Sequence, residues 1–94
     1  MSIYLDSHLA RMIVEKTMSV INFNVNIMDE FGIIIWSGDL ERIGQKHEGA
    51  LLVLSQERIV NIDENSLKTL KGVKPGINIP LWVENKIIGV LGLT

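Results

Sequence analysis

Cysteine is absent from these 94 residues, and histidine occurs only twice. The first absence excludes a disulfide framework and thiolate chemistry. Together they argue against a protein-ligated zinc site. No charge of one sign dominates. Nine Lys and Arg face eleven Asp and Glu, for a net charge of −2, which argues against broad nucleic-acid binding because phosphate neutralisation needs a basic face. Long apolar runs are missing too. The longest, Ile87 to Leu93, has seven residues, against the ~20 that span a bilayer. Met1 leads into Tyr4, Asp6 and Arg11 without an apolar leader core, so no signal peptide is expected. These features fit a cytoplasmic location with no membrane contact.

Catalytic groupings are equally scarce. Asp29-Glu30, Asp39-x-Glu41 and Asp63-Glu64 occur where turns and helix caps favour acids. No nucleophile–base pair, P-loop or dinucleotide fingerprint is visible. An enzyme is not expected, and no cofactor or metal is implied.

What is present suits one domain, with 47% apolar residues for a core. Apolar spacing predicts a helix over about Ile3 to Ile21, with Leu5, Leu9, Met12, Ile13, Lys16 and Val20 on one face. A second set, Ala10, Val14, Thr17, Met18 and Ile21, widens the stripe. Burial on two sides would follow, against the sheet and against a partner copy, so a homodimer through this helix is expected. Asn22 to Ile27 alternates with period two and predicts a strand. Its three asparagines either face solvent or line a polar pocket, and Asn is disfavoured in strands. A turn at Asp29 to Gly32 and a strand at Ile33 to Ser37 complete a hairpin.

A loop over Gly38 to Gly44 precedes a helix over about Lys46 to Gln56, with Ala50, Leu51, Leu54 and His47 sharing a face. Arg58 to Ile62 is a short strand, and Asp63 caps a helical turn over Glu64 to Leu70 that ends at Gly72. Ile77 to Glu84 is a strand, bulged or unpaired at Pro80 because proline cannot donate to a ladder. A two-residue turn at Asn85-Lys86 leads into a central strand, Ile87 to Leu93. The fold class is α+β, one antiparallel sheet of about five strands with helices packed on it. The sequence stops at Leu93-Thr94 inside an apolar run, so a longer parent protein is expected.

Two segments suit anion capture. In Arg42 to Ala50, Gly44 opens the backbone just before a helix start, whose free N–H groups attract anions. Arg42 can grip a carboxylate at two points, and His47 can add a donor. Alternatively, Arg42 pairs with Glu41 or Asp39, and His47 is a satisfied half-buried residue. In Leu70 to Leu81, Lys71 and Lys74 flank Gly72 and precede the Pro75-Gly76 turn. Glycines there leave N–H groups accessible, and lysines supply charge. Two cationic clusters, Arg42-Lys46-His47 and Lys68-Lys71-Lys74, also read simply as solvated edges.

Several segments form a recognisable series. They are Leu9-Ala10-x-x-Ile13-Val14-x-Lys16-Thr17-Met18, Asn24-x-Asn26-Ile27-Met28-Asp29, Gly32-Ile33-Ile34, Ser37-Gly38-Asp39-x-Glu41-Arg42-Ile43-Gly44, His47-Glu48-Gly49-Ala50, Gly72 through Pro80, and Ile88-Gly89-Val90-Leu91-Gly92. In this order, over nearly the whole chain, they resemble the sugar diacid recognition domain at the N-terminus of carbohydrate diacid regulators, which are bacterial transcription factors. The resemblance implies a PAS-like sensor fold with a long N-terminal helix, related to citrate and dicarboxylate sensor domains. It implies a small carboxylate ligand, a sugar diacid or glycerate, and a C-terminal helix-turn-helix domain that contacts DNA in place of this one. Carried over residue by residue, the ligand elements fall on Arg42, Gly44, His47, Glu48 and Gly49, and on Val73, Lys74, Pro75, Gly76, Ile77 and Asn78. Trp36 and Trp82 depart from the family pattern. A pocket-facing Trp36 would favour an acid smaller than a six-carbon diacid. The arginine and histidine of citrate-type sensors have no counterpart between Ile34 and Ser37. The competing expectation is a dimerisation module that binds no acid.

Overall fold

Asp6 decides where the first helix begins. In the computed structural model, which describes residues 5–63, 69–72 and 74–94, its side chain accepts from the Leu9 N–H at 2.8 Å and caps α1, Ser7–Met18. The helix has twelve residues, so the expected span over Ile3 to Ile21 is too long. At its other end the Ser19 N–H divides between the carbonyls of Glu15 and Lys16. The face is also corrected. Ala10 and Val14 are the buried pair, while Met12 is 54% and Val20 76% exposed. Small Ala10 lets the helix approach the sheet closely, and Leu5 and Ile13 of the first set and Ile21 of the second pack beside the buried pair.

Strand β1, Val25–Met28, begins later than the alternation suggests and leaves Phe23 outside it, 59% exposed. All four of its residues are buried. At the following turn, the Asp29 carboxylate accepts from the N–H groups of Phe31 and Ile33 at 2.8 and 3.0 Å. That closes the expected hairpin into β2, Ile34–Ser37. The loop after it holds a 3₁₀ turn, Leu40–Arg42, capped by Asp39. Helix α2, Glu48–Gln56, starts after His47 rather than at Lys46, and Glu57 ends it in the left-handed region at φ 54°. Strand β3 is Val60–Ile62. The helical turn expected after Asp63 falls on residues 64–68, outside the described residues.

Strands β4, Gly76–Val83, and β5, Lys86–Leu93, form the longest ladder. Val83 pairs with Lys86, so the two turn residues are Glu84 and Asn85, one position earlier than expected. Glu84 takes φ 56° there. β3 reaches only to Asn78, so Pro80 lies where β4 has β5 alone as a strand partner. A register shift follows at Leu81/Trp82.

The five strands run antiparallel in the order β2-β1-β5-β4-β3. β5 is therefore central, as its apolar run predicts. Two cores cover the two faces. Ala10, Val14, Val25 and Ile27 pack under α1, with Trp36, Leu81, Leu91 and Leu93 beside them. Met28, Ile34, Ala50, Val53, Val60, Ile62 and Val90 pack under α2. Among the described residues, no helix is long and apolar enough to cross a membrane.

Candidate ligand site

Backbone pairing along the free edge of β2 delivers the first site segment. The Gly44 N–H donates to Ile34 O at 2.8 Å, the Ile34 N–H to Gln45 O at 2.9 Å, and the His47 N–H to Gly32 O at 2.8 Å. The chain then enters α2, and His47 becomes its cap. Nδ1 accepts from the Ala50 N–H at 3.0 Å. His47 is 1% exposed, and burial together with the Arg42 charge pushes its pKa down to about 4. It is thus neutral near pH 7. With Nδ1 accepting, its hydrogen is on Nε2. The ring offers a donor but no charge.

Arg42 is buried as well, 7% exposed. Its Nη2 donates to Gly72 O at 2.7 Å. Among the described residues, Nη1 is buried without a partner. Burial lowers the pKa of the group, and the Asp39 charge opposes this. Among the described residues it makes no ion pair with Glu41 or Asp39. Glu48 binds the same stretch of chain. Its Oε1 accepts from the Lys71 N–H at 3.0 Å, and its own N–H donates to Lys71 O at 3.2 Å. Gly72 fits tightly at this point. It holds φ 72°, and a Cβ there would come within 2.2 Å of Lys46 O. Gly49 packs against Ile62 and the His47 ring, whereas Gly44 is exposed with open space around its Cα.

The two predicted segments therefore meet at Lys71-Gly72, not at Lys74 to Ile77. Lys74 and Pro75 are exposed, and Ile77 is 43% exposed. Pro75, Gly76 and Ile77 line a separate cavity of about 380 Å³ with Phe23, Asn61, Ile62 and Leu93. The β4 register turns Ile77 toward the opposite sheet face from Asn78. Val73 lies outside the described residues. Asn78 alone of that segment is deeply buried among the described residues, at 3% exposure.

Asn78 belongs to a row that the sequence did not single out. Ser37, Asn26, Gly92, Asn78 and Val60 are register partners across all five strands. The row lies on the α2 face, since Val60 and Val90 belong to that core. Ser37 and Asn26 are fully buried. Asn26 Oδ1 accepts from Ser37 Oγ and from Asn24 Nδ2, the latter at 3.2 Å. Its Nδ2 has no partner among the described residues. The run of strand asparagines was the available signal, and Asn26 takes the buried alternative. Trp36 turns the other way, into the α1 core beneath the Arg11 guanidinium, 5.3 Å from the ring centroid. It does not narrow the space on the α2 face.

Among the described residues, two interior donors are thus without a partner, Arg42 Nη1 and Asn26 Nδ2. Each is a nitrogen that needs an acceptor, and a carboxylate is acceptor-only when ionised. Among the described residues, no three of His, Asp and Glu cluster as metal ligands would.

The chain is 56% identical over 91 residues to the carbohydrate diacid regulator of Escherichia coli (strain K12), covering 97% of this chain and 24% of that protein. It is 42% identical over 91 residues to an uncharacterized protein of Haemophilus influenzae, covering 96% of this chain and 25% of the relative. It is 37% identical over 91 residues to the uncharacterized protein YsfB of Bacillus subtilis, covering 97% and 25%. The chain spans about a quarter of the length of these relatives. No solved structure matches it significantly. The family model described as "Putative sugar diacid recognition" matches residues 5–94, and the chain belongs to that family.

Proposed function

We propose that this domain is the acid sensor of a bacterial transcription regulator. It would bind a sugar diacid or a related hydroxy acid such as glycerate on the α2 face of its sheet. The observation that carries the reading is the pair of unsatisfied interior donors. A buried N–H without an acceptor costs ~1–3 kcal/mol, and an incoming carboxylate would recover that cost. Arg42 Nη1 takes the carboxylate, the His47 Nε2–H adds a neutral donor, and Glu48 and Gly72 hold the loop that frames them. Asn78 meets the ligand from the sheet side. Lys74 supplies long-range attraction rather than contact.

The PAS-like fold assignment rests on the single five-stranded antiparallel sheet with helices against it. In this reading the protein is cytoplasmic, and a DNA-binding domain elsewhere in a longer regulator receives the signal. Acid binding shifts that regulator's equilibrium only by its differential affinity for the two states.

A thermal-melt panel tests the proposal with glycerate, glucarate, galactarate, citrate and chloride at matched ionic strength. A ligand at ~100 times its Kd adds ~2.7 kcal/mol, and a domain of this size gains roughly 4–8 °C per kcal/mol. One acid should raise the midpoint selectively by about 10 °C or more. A flat panel would reject the reading.

A second reading, compatible with the first, is homodimerisation through α1. Its outer face exposes Met12 and lines a groove of about 770 Å³ with Leu9, Ile13 and Lys16. A light-scattering mass of one chain at high concentration would exclude it.

A further inference from the structure

We infer that Lys71 and Gly72 form a strap across the acid site, latched by Glu48, which lifts to let an acid reach Arg42. The inference rests on the acid-binding reading above and adds the step that admits the ligand.

The strap touches both proposed donor residues. Gly72 O accepts from Arg42 Nη2 at 2.7 Å. A Cβ built on Gly72 would run into Lys46 O and lie 3.8 Å from His47 Cα, so its backbone rests directly on the chain that carries the site. Lys71 and Gly72 are themselves exposed, whereas Arg42 and His47 are buried. Solvent therefore meets the strap where an acid needs to meet the guanidinium.

An acid cannot pair with a buried nitrogen until some covering segment yields. Other neighbours of the site are fixed more firmly. The Gly44 and His47 N–H groups are paired along the edge of β2, and Ala50 and Val53 of α2 pack into the core. Among the described residues, three hydrogen bonds hold the strap, and none belongs to a helix or a strand ladder. One is the Arg42 bond. Glu48 makes the other two, with Oε1 accepting from the Lys71 N–H at 3.0 Å and its own N–H donating to Lys71 O at 3.2 Å. An incoming carboxylate competes with Gly72 O for the guanidinium and has the advantage, because an ionised acceptor bonds it more strongly than a neutral carbonyl. Gly72, at φ 72° and without a Cβ, can absorb the backbone swing.

A removable pin tests the strap. The chain has no cysteine, so a Glu48→Cys, Lys71→Cys pair introduces the only thiols. The two backbones share a hydrogen bond and lie within reach of a disulfide. Calorimetric titration with D-glucarate and with glycerate reads both redox forms. The reduced form should bind one of these acids. The oxidised form should bind it roughly tenfold or more weakly, because apparent affinity falls with the fraction of molecules able to open. Reductant should restore binding. Equal affinity of the two forms overturns the strap and leaves the acid-binding reading standing. A parent chain that binds neither acid overturns both. Should the variant not fold, or its reduced form not bind, hydrogen exchange of the parent decides. Lys71 amide protection should be roughly 100-fold or more below that of the β5 amides, because the strap opens without global unfolding. Protection equal to that of β5 refutes the strap.

Discussion

Arg42→Met separates the stability of this domain from its proposed function. The guanidinium is 7% exposed, with Nη2 on Gly72 O at 2.7 Å and Nη1 unpartnered. A hydrogen bond from a charged donor is worth ~1.5–3 kcal/mol, and a buried unpaired N–H costs ~1–3 kcal/mol. The two nearly cancel, and methionine keeps much of the apolar stem while removing a desolvated charge. The expected change in stability is ~1 kcal/mol or less in either direction, at most about 4–8 °C in Tm. Truncating a buried charge that holds an opposite charge costs ~2–5 kcal/mol, so acid affinity should fall roughly 30-fold or more. Thermal melts and calorimetry on the same samples read both quantities. Unchanged acid affinity, with Tm lowered by well over ~10 °C, would show that Arg42 only fastens the Gly72 loop.

Other consequences follow from the same geometry. His47 is held at about 4 against its usual 6.5, so the unfolded chain binds the proton first as pH falls. Its stabilising contribution is complete above about pH 6.5 and declines toward pH 4, by about 3 kcal/mol in all. Denaturant melts of parent and His47→Asn should diverge over that window, because Asn keeps the cap but does not titrate; parallel curves would refute it. Gly72→Ala should destabilise more than Gly44→Ala. Both have positive φ, ~1–2 kcal/mol each, but only Gly72 also meets a backbone carbonyl, so equal losses in urea would contradict the packing. Glu57→Gly should raise stability by up to ~1 kcal/mol by relieving φ 54° at the end of α2, and a fall in urea midpoint would count against that.

Patterns that depend on neighbours along the chain were readable. The order of helices and strands, the Asp29 turn and the central last strand all follow from periodicity and turn chemistry. Facing was harder. The first helix carries two overlapping apolar stripes, and only contact with the sheet selects Ala10 and Val14. Period-two reasoning usually assumes one wet face, whereas here both faces are covered, so buried Asn26 is a tertiary fact. Arg42 and His47 stood out by charge beside glycine. Lys74 to Ile77 stood out for the same reason, but Lys74 and Pro75 are exposed ahead of β4, and register turns Ile77 toward a different cavity. Register also assembles the Ser37–Asn26–Gly92–Asn78 row, whose members are scattered in sequence and carry no motif.

The central claim is that an acid ligand engages the unsatisfied donors on the α2 face. A crystal structure of the chain with bound D-glucarate tests it most directly. The account predicts one carboxylate within hydrogen-bond distance of Arg42 Nη1. An acid found instead in the Pro75–Ile77 cavity or on the outer face of α1, with Arg42 Nη1 still unpartnered, would contradict it.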